Sequence, residues 1–495
     1  MPTEEIINLA LRRSLFYPTA EIYANSPSGF WEFGPIGERI RRKVVDFWRR
    51  ELVEKEGFIE IFGSQILPEA VFRASGHLES FNDPIVQCKK CNSLHRADQL
   101  IASVSKGLVP ESLATKELDA LIKKHEVKCP KCKSNQFNEV RKFNMMMKVD
   151  IGATGNQPCY LRPETCQSIF LDFDRLYKTM RKNLPLGIAQ AGASFRNEIA
   201  PRNTLLRARE FGQMELEIFF NPKKADEVEK WVEVEKYELN LMLDGSEKIQ
   251  QISCSDAIAK KIISGKMIAY YLARTQKLFE LLGVPLEKMR FRQLGKDEKA
   301  FYAKEAFDFE VLSSLGWIEL IACNNRSDYD LKGHAKESKK ALTVKEDGEE
   351  FLPHIFELSA GIDRTFFVLL DLAYRKEKRG PEERVFLDLQ PKLAPYFVAV
   401  FPLVNKEGID LKAKKLHDEI VSFGFESLFD GSGSIGKRYA RVDEIGVPYA
   451  ITCDFDSLKD NTVTLRERTS MKQKRVKTSD LPQTLWLLSL GKEKF

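Results

Sequence analysis

The amino-acid sequence predicts an α+β protein in which a strand-rich main domain precedes a smaller α/β domain. Through residues 141–220, strand-like segments alternate with turns, whereas strand and helix patterns alternate from Pro395 onwards. Between these regions lies "KEKRGPEERVF", a charged segment with a Gly-Pro pair that is typical of a domain boundary. We therefore expect one domain over residues 1–390 and a second over residues 391–495.

The main domain is predicted to begin with an amphipathic helix over residues 37–56, because apolar residues recur there at helical intervals. A strand-like "FIEIFGS" follows, and Pro68 then interrupts regular strand pairing. Residues 85–140 contain four cysteines and a polar, lysine-rich middle, which indicates a small inserted module. Residues 222–300 begin with the charged "KKADEVEKWVEVEKYELNLML", and we predict a helical insertion there.

The C-terminal residues combine two strand-like runs, "YFVAVFPLV" and "PYAITCDFD", with the helical patterns "DLKAKKLHDEIVSFG" and "IGKRYARVDEIG". Strands that alternate with helices usually pair in parallel, so we predict a largely parallel sheet. "GSGSIGKR" in this domain matches the spacing of a phosphate-binding loop. Arg438 stands where that loop needs a serine or threonine to hold Mg²⁺, so we do not assign nucleotide binding there.

The composition is that of a globular protein, and a length of 495 residues predicts roughly three domains. Lysine and arginine outnumber aspartate and glutamate by 5, and this mild excess is compatible with a nucleic-acid partner. No apolar run approaches the roughly 20 residues that cross a membrane. The N-terminal "MPTEEIINLALRRSLFYP" lacks the apolar core of a secretory signal. We expect a cytoplasmic protein without membrane contact.

Four of the nine cysteines form two CxxC pairs, Cys88 with Cys91 and Cys129 with Cys132. Two such pairs are typical of a structural zinc site with four thiolate ligands. The five remaining cysteines are scattered singly, which favours free thiols in a reducing compartment. We predict one Zn²⁺ at the two pairs, and four unpaired thiols are the alternative.

The stretch "FRNEIAPRNTLLRAREFGQMELE" is unusually polar for a strand-forming region. Arg196 and Glu198 are expected on one face of a short strand, because side chains alternate along a strand. Arg207 follows, and a second strand then places Glu215 and Glu217 on a polar face. A polar face on a core-like strand needs a ligand or water to satisfy it.

Two further segments carry the same residue types. "HIFELSAGIDR" contains Glu357, Ser359 and Arg364, and "GWIELIACNNR" contains Glu319 and Arg326. Arginines this close together repel one another unless an anion lies between them. Arginines and carboxylates gathered at strand ends indicate that a polyanion, a divalent cation and an ammonium group bind together.

These segments resemble the three motifs of class II aminoacyl-tRNA synthetases. "FRNE" with Arg207 is similar to motif 2, "SAGIDR" to motif 3, and Pro68 in "GFIEIFGSQILPE" to motif 1. "LRPETCQSIF", "FGQMELE", "RSDYDL" and "DGSGSIGKRYARVDEIG" narrow the resemblance to the glycyl-tRNA synthetases of the dimeric archaeal and eukaryotic type. The resemblance covers nearly the whole chain.

The resemblance implies an antiparallel-sheet catalytic domain over residues 1–390, with a zinc-binding insertion at 85–140 and a helical insertion at 222–300. Residues 391–495 would form an anticodon-binding domain. It also implies ATP-dependent attachment of glycine to tRNA(Gly) through glycyl-adenylate, with Mg²⁺ and structural Zn²⁺, in a homodimer.

The resemblance also assigns individual residues. ATP binding falls to Arg196, Asn197, Glu198, Leu206, Arg207, Phe211, Glu319, Leu320, Arg326 and Arg364. Those expected to act in catalysis are Arg196, Glu198, Arg207 and Arg364. Glycine binding falls to Arg96, Glu164, Glu215, Glu357 and Ser359. Glu319 is expected to hold Mg²⁺, and tRNA contacts fall to Lys437, Arg438 and Arg441.

The chain departs from the family at a few positions near these residues. Cys166 and Ser168 stand where alanine and glycine are usual, and Asn324 and Asn325 where an Ala-Asp pair is common. Two alternative functions are another class IIa synthetase, for threonine, serine or proline, and a non-catalytic RNA-binding paralogue. The acidic "QMELE" and "FELS" strands disfavour the first, and the retained ATP-clamping residues disfavour the second.

Overall fold

The computed structural model describes residues 2–105, 113–155, 157–199, 201, 204–296, 298–300, 302–379, 382–493 and 495. Within these ranges a nine-stranded, mainly antiparallel sheet precedes a separate five-stranded sheet, and helices pack against both. The predicted α+β class is therefore confirmed. The Gly-Pro pair at 380–381, which was expected to mark a domain boundary, lies outside the described residues.

The chain begins with a helix, a hairpin and the predicted amphipathic helix. These elements are α1 (Pro2–Arg12), β1 (Phe16–Pro18), β2 (Trp31–Phe33) and α2 (Pro35–Trp48). Proline suits the first turn of α2, where no N–H partner is required, and Ile40, Val44 and Trp48 form its buried face. A π-helical turn extends α2 towards β3 (Ile59–Glu60), which is shorter than the predicted strand.

The next segment contains two small three-stranded sheets. Its elements are β4 (Ile66–Pro68), α3 (Glu69–Ala74), α4 (His77–Ser80), β5 (Asn82–Gln87), β6 (Leu94–Arg96), α5 (Ala97–Ser105), α6 (Thr115–Lys124), β7 (Arg141–Asn144), β8 (Met147–Ile151) and β9 (Gln157–Leu161). One sheet has the order β6-β5-β7 and the other β4-β9-β8. Val86, Ile101 and Leu118 belong to a separate apolar core beside the first sheet. The two cysteine pairs lie in the segments that follow β5 and α6.

The large sheet has the strand order β13-β12-β14-β15-β16-β19-β11-β10-β3. Its strands and the neighbouring elements are α7 (Cys166–Thr179), β10 (Leu186–Phe195), β11 (Glu210–Phe220), β12 (Glu238–Met242), β13 (Ile249–Ser253), α8 (Cys254–Ala259), α9 (Lys266–Leu281), β14 (Met289–Gln293), β15 (Glu305–Ser313), β16 (Gly316–Ser327), α10 (Tyr329–Ser338), β17 (Val344–Glu346), β18 (Glu349–Phe351), β19 (His354–Gly361) and α11 (Ile362–Ala373). Only the β10/β3 and β12/β14 pairs are parallel among the described strands of this sheet.

Alternation along β11 separates the core from the polar face. Met214, Leu216 and Ile218 are buried in the apolar cluster that includes α2 and α9. The intervening Glu215 and Glu217 point to the other face, where they lie opposite Ser359 and Glu357 of β19. The register between β11 and β19 therefore brings two separate acidic segments of the sequence together.

The predicted helical insertion at 222–300 is wrong in its first half. Residues 222–237 form turns with two short 3₁₀ segments, and β12, β13 and β14 extend the large sheet. Leu239 and Leu241 of β12 are fully buried, and Asn240 between them donates hydrogen bonds to two backbone carbonyls. Burial and sheet pairing outweigh the helical propensity of the charged residues that precede them. The expected long helix is confined to α9.

The last part of the chain contains β20 (Tyr374–Arg379), β21 (Glu382–Leu387), β22 (Val398–Pro402), α12 (Ile409–Ser422), β23 (Ser427–Phe429), α13 (Ile435–Glu444), β24 (Tyr449–Cys453), α14 (Phe455–Asp460), β25 (Thr462–Glu467), β26 (Gln473–Lys477) and α15 (Leu481–Ser489). Its sheet has the order β23-β22-β24-β25-β26. Only the pairs involving β22 are parallel, so the predicted largely parallel sheet is in fact mixed. A tight connection returns β25 to β26 as a hairpin, which requires antiparallel pairing.

Candidate active site

A cavity of about 250 Å³ lies where β10 ends and β11 begins, beside β16, β19 and the first turn of α11. The predicted residues that line it are Glu164, Arg196, Glu198, Leu206, Arg207, Phe211, Glu319, Leu320, Glu357, Ser359 and Arg364. Four other predicted ligands do not line it, namely Arg96, Asn197, Glu215 and Arg326. The fold thus gathers most of the predicted site from four separate stretches of sequence.

Arg196 and Glu198 follow the end of β10 and do not lie within a strand, contrary to the prediction. The backbone N–H of Glu198 donates to the carbonyl of Arg196 at 2.7 Å, so this N–H is not paired with a neighbouring strand. The Arg196 guanidinium lies 5.3 Å from the ring centre of Phe211 and 5.4 Å from that of Phe81. Its Nε donates to the carbonyl of Pro163, so the side chain is fixed at the cavity wall.

Two ion pairs lie at the cavity wall. Arg207 Nη2 is 2.6 Å from Glu198 Oε2, and Arg364 Nη1 is 3.2 Å from Glu319 Oε2. Arg364 also donates to the carbonyl of Leu206 at 3.2 Å. The charges within each pair neutralise one another. An anion and a cation entering together can replace each partner without leaving a charge unpaired.

Two further carboxylates, Glu164 and Glu357, also line the cavity. Gln167 Nε2 donates to Glu164 at 2.8 Å, and Asn324 Nδ2 donates to Glu357 at 2.6 Å. The Cys166 thiol donates to Glu164 at 3.0 Å. Cys166 and Asn324 are two of the positions where the sequence departs from the family it resembles, and each contacts an acid of the cavity wall.

The two wall acids differ in their tendency to ionise. Burial raises the pKa of Glu357 to about 7, although the neighbouring Arg326 opposes this shift. Burial also acts to raise the pKa of Glu164, but the facing His77, the charge of Arg326 and the Cys166 thiol together hold that pKa well below its usual value. Of the two acids, Glu164 therefore carries its negative charge more readily.

Glu215 lies behind the cavity wall, which differs from the prediction that it contacts a ligand. Its carboxylate accepts hydrogen bonds from Thr165 Oγ1 at 2.5 Å, Ser359 Oγ at 2.6 Å and Gln213 Nε2 at 3.3 Å. Burial, followed by the charge of Glu164, raises its pKa. The geometry makes Glu215 an anchor for Ser359, whose hydroxyl lines the cavity.

Arg326 is also displaced from its predicted position among the ATP ligands. It is 1% exposed, and its guanidinium is held by Asp330 through two bonds of 2.7 Å and by Glu357 at 2.8 Å. The ring of Tyr302 covers it at 3.8 Å. A guanidinium committed to two carboxylates has no free edge for phosphate, so Arg326 supports the wall instead.

Arg96 and Asn197 are the remaining predicted ligands away from the cavity. Arg96 forms ion pairs with Asp83, at 2.8 Å, and with Asp98. Asn197 donates its backbone N–H to the carbonyl of Met145 at 2.8 Å. Asn197 thus joins the cavity region to the segment between β5 and β8, whereas the ion pairs of Arg96 lie within that segment.

The four paired cysteines come together as the spacing predicts. Their sulfur atoms all lie within 4.8 Å of one another, with Cys88 3.5 Å from Cys132 and Cys91 3.6 Å from Cys129. Sulfur atoms 2.3 Å from a tetrahedral zinc lie about 3.8 Å apart, so the four thiols fit such an ion. This cluster is a possible metal site.

The three predicted tRNA-contacting residues of α13 have different environments. Lys437 is exposed, and Arg441 is partly exposed beside Asp430 at 2.6 Å. Arg438 is only 2% exposed, and its guanidinium donates to the carbonyls of Pro402, Ser432, Gly431 and Gly433. Those bonds fix the loop before α13, so the assignment of Arg438 to RNA is corrected to a structural role.

The sequence prediction missed several residues of the cavity wall, including Gln213, Tyr302, Asn324 and Asp363. The polar face of β11 is a signal for Gln213, whereas no pattern around Tyr302 indicates a site. A larger cavity of about 530 Å³ lies at the opposite end of β10 and β11, near Tyr271. It contains none of the predicted residues.

Comparisons with known proteins agree with this architecture. Residues 148–373 match the family described as tRNA synthetase class II core domain (G, H, P, S and T), and residues 397–486 match the anticodon binding domain family. The fold and these matches define a class II aminoacyl-tRNA synthetase.

Curated relatives narrow the class. The chain is 36% identical to the glycine--tRNA ligase of Methanothrix thermoacetophila, over 96% of this chain and 94% of the relative. It is 36% identical to that of Methanocaldococcus jannaschii, over 97% of each chain, and 35% identical to that of Thermococcus gammatolerans, over 99% and 98%. The chain belongs to the glycine--tRNA ligase family. Along its described residues, no helix has the length and apolar character needed to cross a membrane.

Proposed function

We propose that the cavity binds ATP and glycine together and joins them as glycyl-adenylate, after which the glycyl group passes to tRNA(Gly). The observation that carries this proposal is a single cavity lined by both arginines and carboxylates. The arginines are Arg196, Arg207 and Arg364, and Glu164 and Glu357 are carboxylates without an arginine of the cavity as ion-pair partner. A triphosphate and an ammonium group match these two kinds of side chain in charge.

The chemical step requires little from the protein beyond positioning and charge. A carboxylate oxygen of glycine attacks the α-phosphorus of ATP, and the bond from that phosphorus to the bridging oxygen breaks to release pyrophosphate. A carboxylate is already a nucleophile, so no general base is needed. Arginines that face the phosphate oxygens stabilise the negative charge of the transition state. The 3′-terminal ribose hydroxyl of tRNA then attacks the glycyl carbonyl, and AMP leaves.

On the ATP side, Arg196 is proposed to hold the α-phosphate and the carboxylate of glycine, because the rings around it fix its guanidinium. Glu198 would accept the adenine amino group, and Arg207 would hold the γ-phosphate. Phe211 provides a flat apolar surface at the cavity wall. Arg364 would act on the opposite side of ATP. The Glu319 carboxylate, 42% exposed beside it, is a suitable oxygen ligand for Mg²⁺, which would neutralise phosphate charge.

On the glycine side, Glu164 and Glu357 are proposed to bind the ammonium group, and the Ser359 hydroxyl to complete the pocket. Glu215 holds Ser359 in place, and Arg326 holds Glu357. Glycine has no side chain to bind, so selectivity rests on walls that collide with larger amino acids. Exclusion of larger substrates is achieved more readily than exclusion of smaller ones, and it requires no separate editing site.

For the cysteine cluster we propose Zn²⁺ as the resident metal, bound by Cys88, Cys91, Cys129 and Cys132. The four sulfur ligands and their mutual distances support a closed structural site. Such an ion supplies folding energy to the segment between β5 and β7 and takes no part in the reaction.

We further propose that residues 1–390 form the catalytic domain, with the zinc-bearing segment at 85–140 as an insertion, and that residues 391–495 bind the anticodon. The exposed Lys437 near the start of α13 and the partly exposed Arg441 in its last turn support contact with RNA phosphate. Deleting residues 391–495 should leave glycine-dependent pyrophosphate exchange largely intact and severely weaken tRNA charging. Equal loss of both activities in a folded truncation would argue against this division.

We also propose that the protein forms a homodimer in the cytoplasm. β3 is the edge strand of the large sheet, and Phe62 just beyond it is 84% exposed. An open strand edge with an exposed aromatic residue favours association with a second copy. The nine cysteines form no disulfide in the structure, which is consistent with a reducing compartment.

The proposed activity is tested by ATP–pyrophosphate exchange with each of the twenty amino acids in turn. Exchange that depends on glycine alone is expected. Exchange with threonine, serine or proline would favour another class IIa synthetase, and no exchange with any amino acid would favour an RNA-binding paralogue.

A further inference from the structure

His77 in α4 contacts Glu164, one of the acids that line the cavity. It is 7% exposed, and its Nε2 lies 3.4 Å from Glu164 Oε1. Its Nδ1 lies 2.7 Å from the hydroxyl oxygen of Ser75, which is itself 2% exposed. Both ring nitrogens of this buried histidine therefore have a partner, and one partner is an acid of the cavity wall.

The orientation of the His77 ring is fixed by packing as well as by these bonds. The rings of Phe72 and Phe81 contact it edge-on, with centroids 6.2 Å and 5.4 Å away. Asn144 holds the backbone carbonyl of His77 through a bond of 3.2 Å. A ring held on both sides and at both nitrogens keeps Nε2 directed at Glu164.

The charge around Glu164 explains why such a partner matters. Glu215, Glu217 and Glu357 are buried in the same region, and neighbouring buried carboxylates disfavour one another's ionisation. Arg326 donates its hydrogen bonds to Glu357 and Asp330, so its charge acts on Glu164 from a greater distance. Gln167 and Cys166, both neutral, donate to Glu164. Among the described residues, His77 is the basic side chain in close contact with Glu164.

We propose that His77 is a positioning residue for glycine recognition, which holds the Glu164 carboxylate correctly oriented at the cavity wall. The proposal rests on the proposed binding of the glycine ammonium group by Glu164. His77 itself does not line the cavity, so its effect on glycine passes through Glu164. The Ser75 hydroxyl takes part by fixing Nδ1, so that the proton on Nε2 points to the carboxylate.

Two replacements of nearly equal size separate this role from a purely structural one. The amide nitrogen of glutamine in His77→Gln reaches the place of Nε2 and still donates to Glu164. The shorter asparagine in His77→Asn reaches only the place of Nδ1 and leaves Glu164 without that donor. Loss of packing against Phe72 and Phe81 is similar in the two variants, so thermal unfolding should shift by similar amounts.

The test measures glycine-dependent ATP–pyrophosphate exchange for both variants. His77→Asn is expected to raise the KM for glycine about tenfold, because a hydrogen bond to a charged group is lost. Its kcat and its KM for ATP should stay within about twofold, because binding of glycine alone is weakened. His77→Gln should raise the KM for glycine about threefold or less, because it keeps a donor to the Glu164 carboxylate.

Equal glycine KM values in the two variants, or parallel losses in kcat and in the KM for ATP, would overturn the role of His77. If His77→Asn does not fold, Ser75→Ala replaces it, with an expected increase of about threefold in the KM for glycine. An unchanged KM in that variant would also contradict the proposal. Failure of the unaltered protein to exchange with glycine would instead contradict the proposed function.

Discussion

Replacing Glu164 or Glu215 by glutamine distinguishes the acid on the cavity wall from the acid behind it. Both changes preserve size and remove one negative charge. Glu164 lines the cavity, whereas Glu215 is enclosed by Thr165, Ser359 and Gln213. The Glu164 variant should therefore lose direct attraction for the ammonium group of glycine, and the Glu215 variant should only loosen Ser359.

The structure sets the size of each effect. In Glu164→Gln a charge-assisted hydrogen bond is replaced by an amide that has no charge to offer the ammonium group. A loss of about 1.5–3 kcal/mol corresponds to a decrease of roughly 10-fold to 150-fold in kcat/KM for glycine. In Glu215→Gln the hydroxyls of Thr165 and Ser359 are able to rotate, so about one neutral hydrogen bond is weakened. A loss of about 0.5–1.5 kcal/mol corresponds to roughly twofold to twelvefold.

Glycine-dependent pyrophosphate exchange at saturating ATP measures both variants. The KM for ATP provides the internal control, because Arg196, Arg207 and Arg364 are unaltered in each protein. A larger loss in Glu215→Gln than in Glu164→Gln would refute the assignment of the ammonium site to the cavity wall. It would restore the prediction made from the sequence, in which Glu215 contacts glycine directly.

Three further predictions concern the metal, the pH dependence and the C-terminal domain. Freshly purified protein should contain about one Zn²⁺ per chain by elemental analysis, and joint replacement of Cys129 and Cys132 by serine should abolish it; metal-free native protein would contradict the zinc assignment. Because burial raises the pKa of Glu357 to about 7, its carboxyl is neutral below that pH and charged above it. Hence kcat/KM for glycine should fall as the pH is lowered from about 8 to about 6, and Glu357→Gln should flatten that change; a flat profile in the unaltered protein would count against this role. Lys437→Ala should weaken tRNA charging without a change in Tm, whereas Arg438→Ala should lower Tm by about 5 °C or more because four carbonyls lose a buried donor. The opposite pattern would return Arg438 to the RNA-binding surface.

The sequence was informative where spacing alone determines proximity. The CxxC spacing brought the four cysteines together, and strand alternation placed Glu215 on the polar face of β11. The motif segments likewise supplied Arg196, Arg207 and Arg364 to one cavity. In these cases local geometry and the known order of motifs leave little freedom.

The sequence was less informative where side-chain direction depends on distant partners. Arg326 and Arg438 lie in motif segments, yet Asp330 binds one and backbone carbonyls bind the other. No local pattern shows whether an arginine faces a ligand or a buried acceptor. The prediction of a helix over residues 222–242 was wrong for a related reason. The pairing of β12 with β13 and β14 determines the conformation of this segment. His77 is a further case, because Glu164 is far from it in sequence.

The ion pair between Arg207 and Glu198 has a consequence for the choice of nucleotide. Under the proposed roles, ATP enters by offering a phosphate to the arginine and an amino group to the glutamate at the same time. Adenosine without phosphates would leave Arg207 without a charged partner. A triphosphate whose base presents a carbonyl in place of the amino group would leave Glu198 without a donor. Each incomplete ligand must break the pair while replacing only one partner, so base and phosphates are recognised as a single unit and not as two independent features.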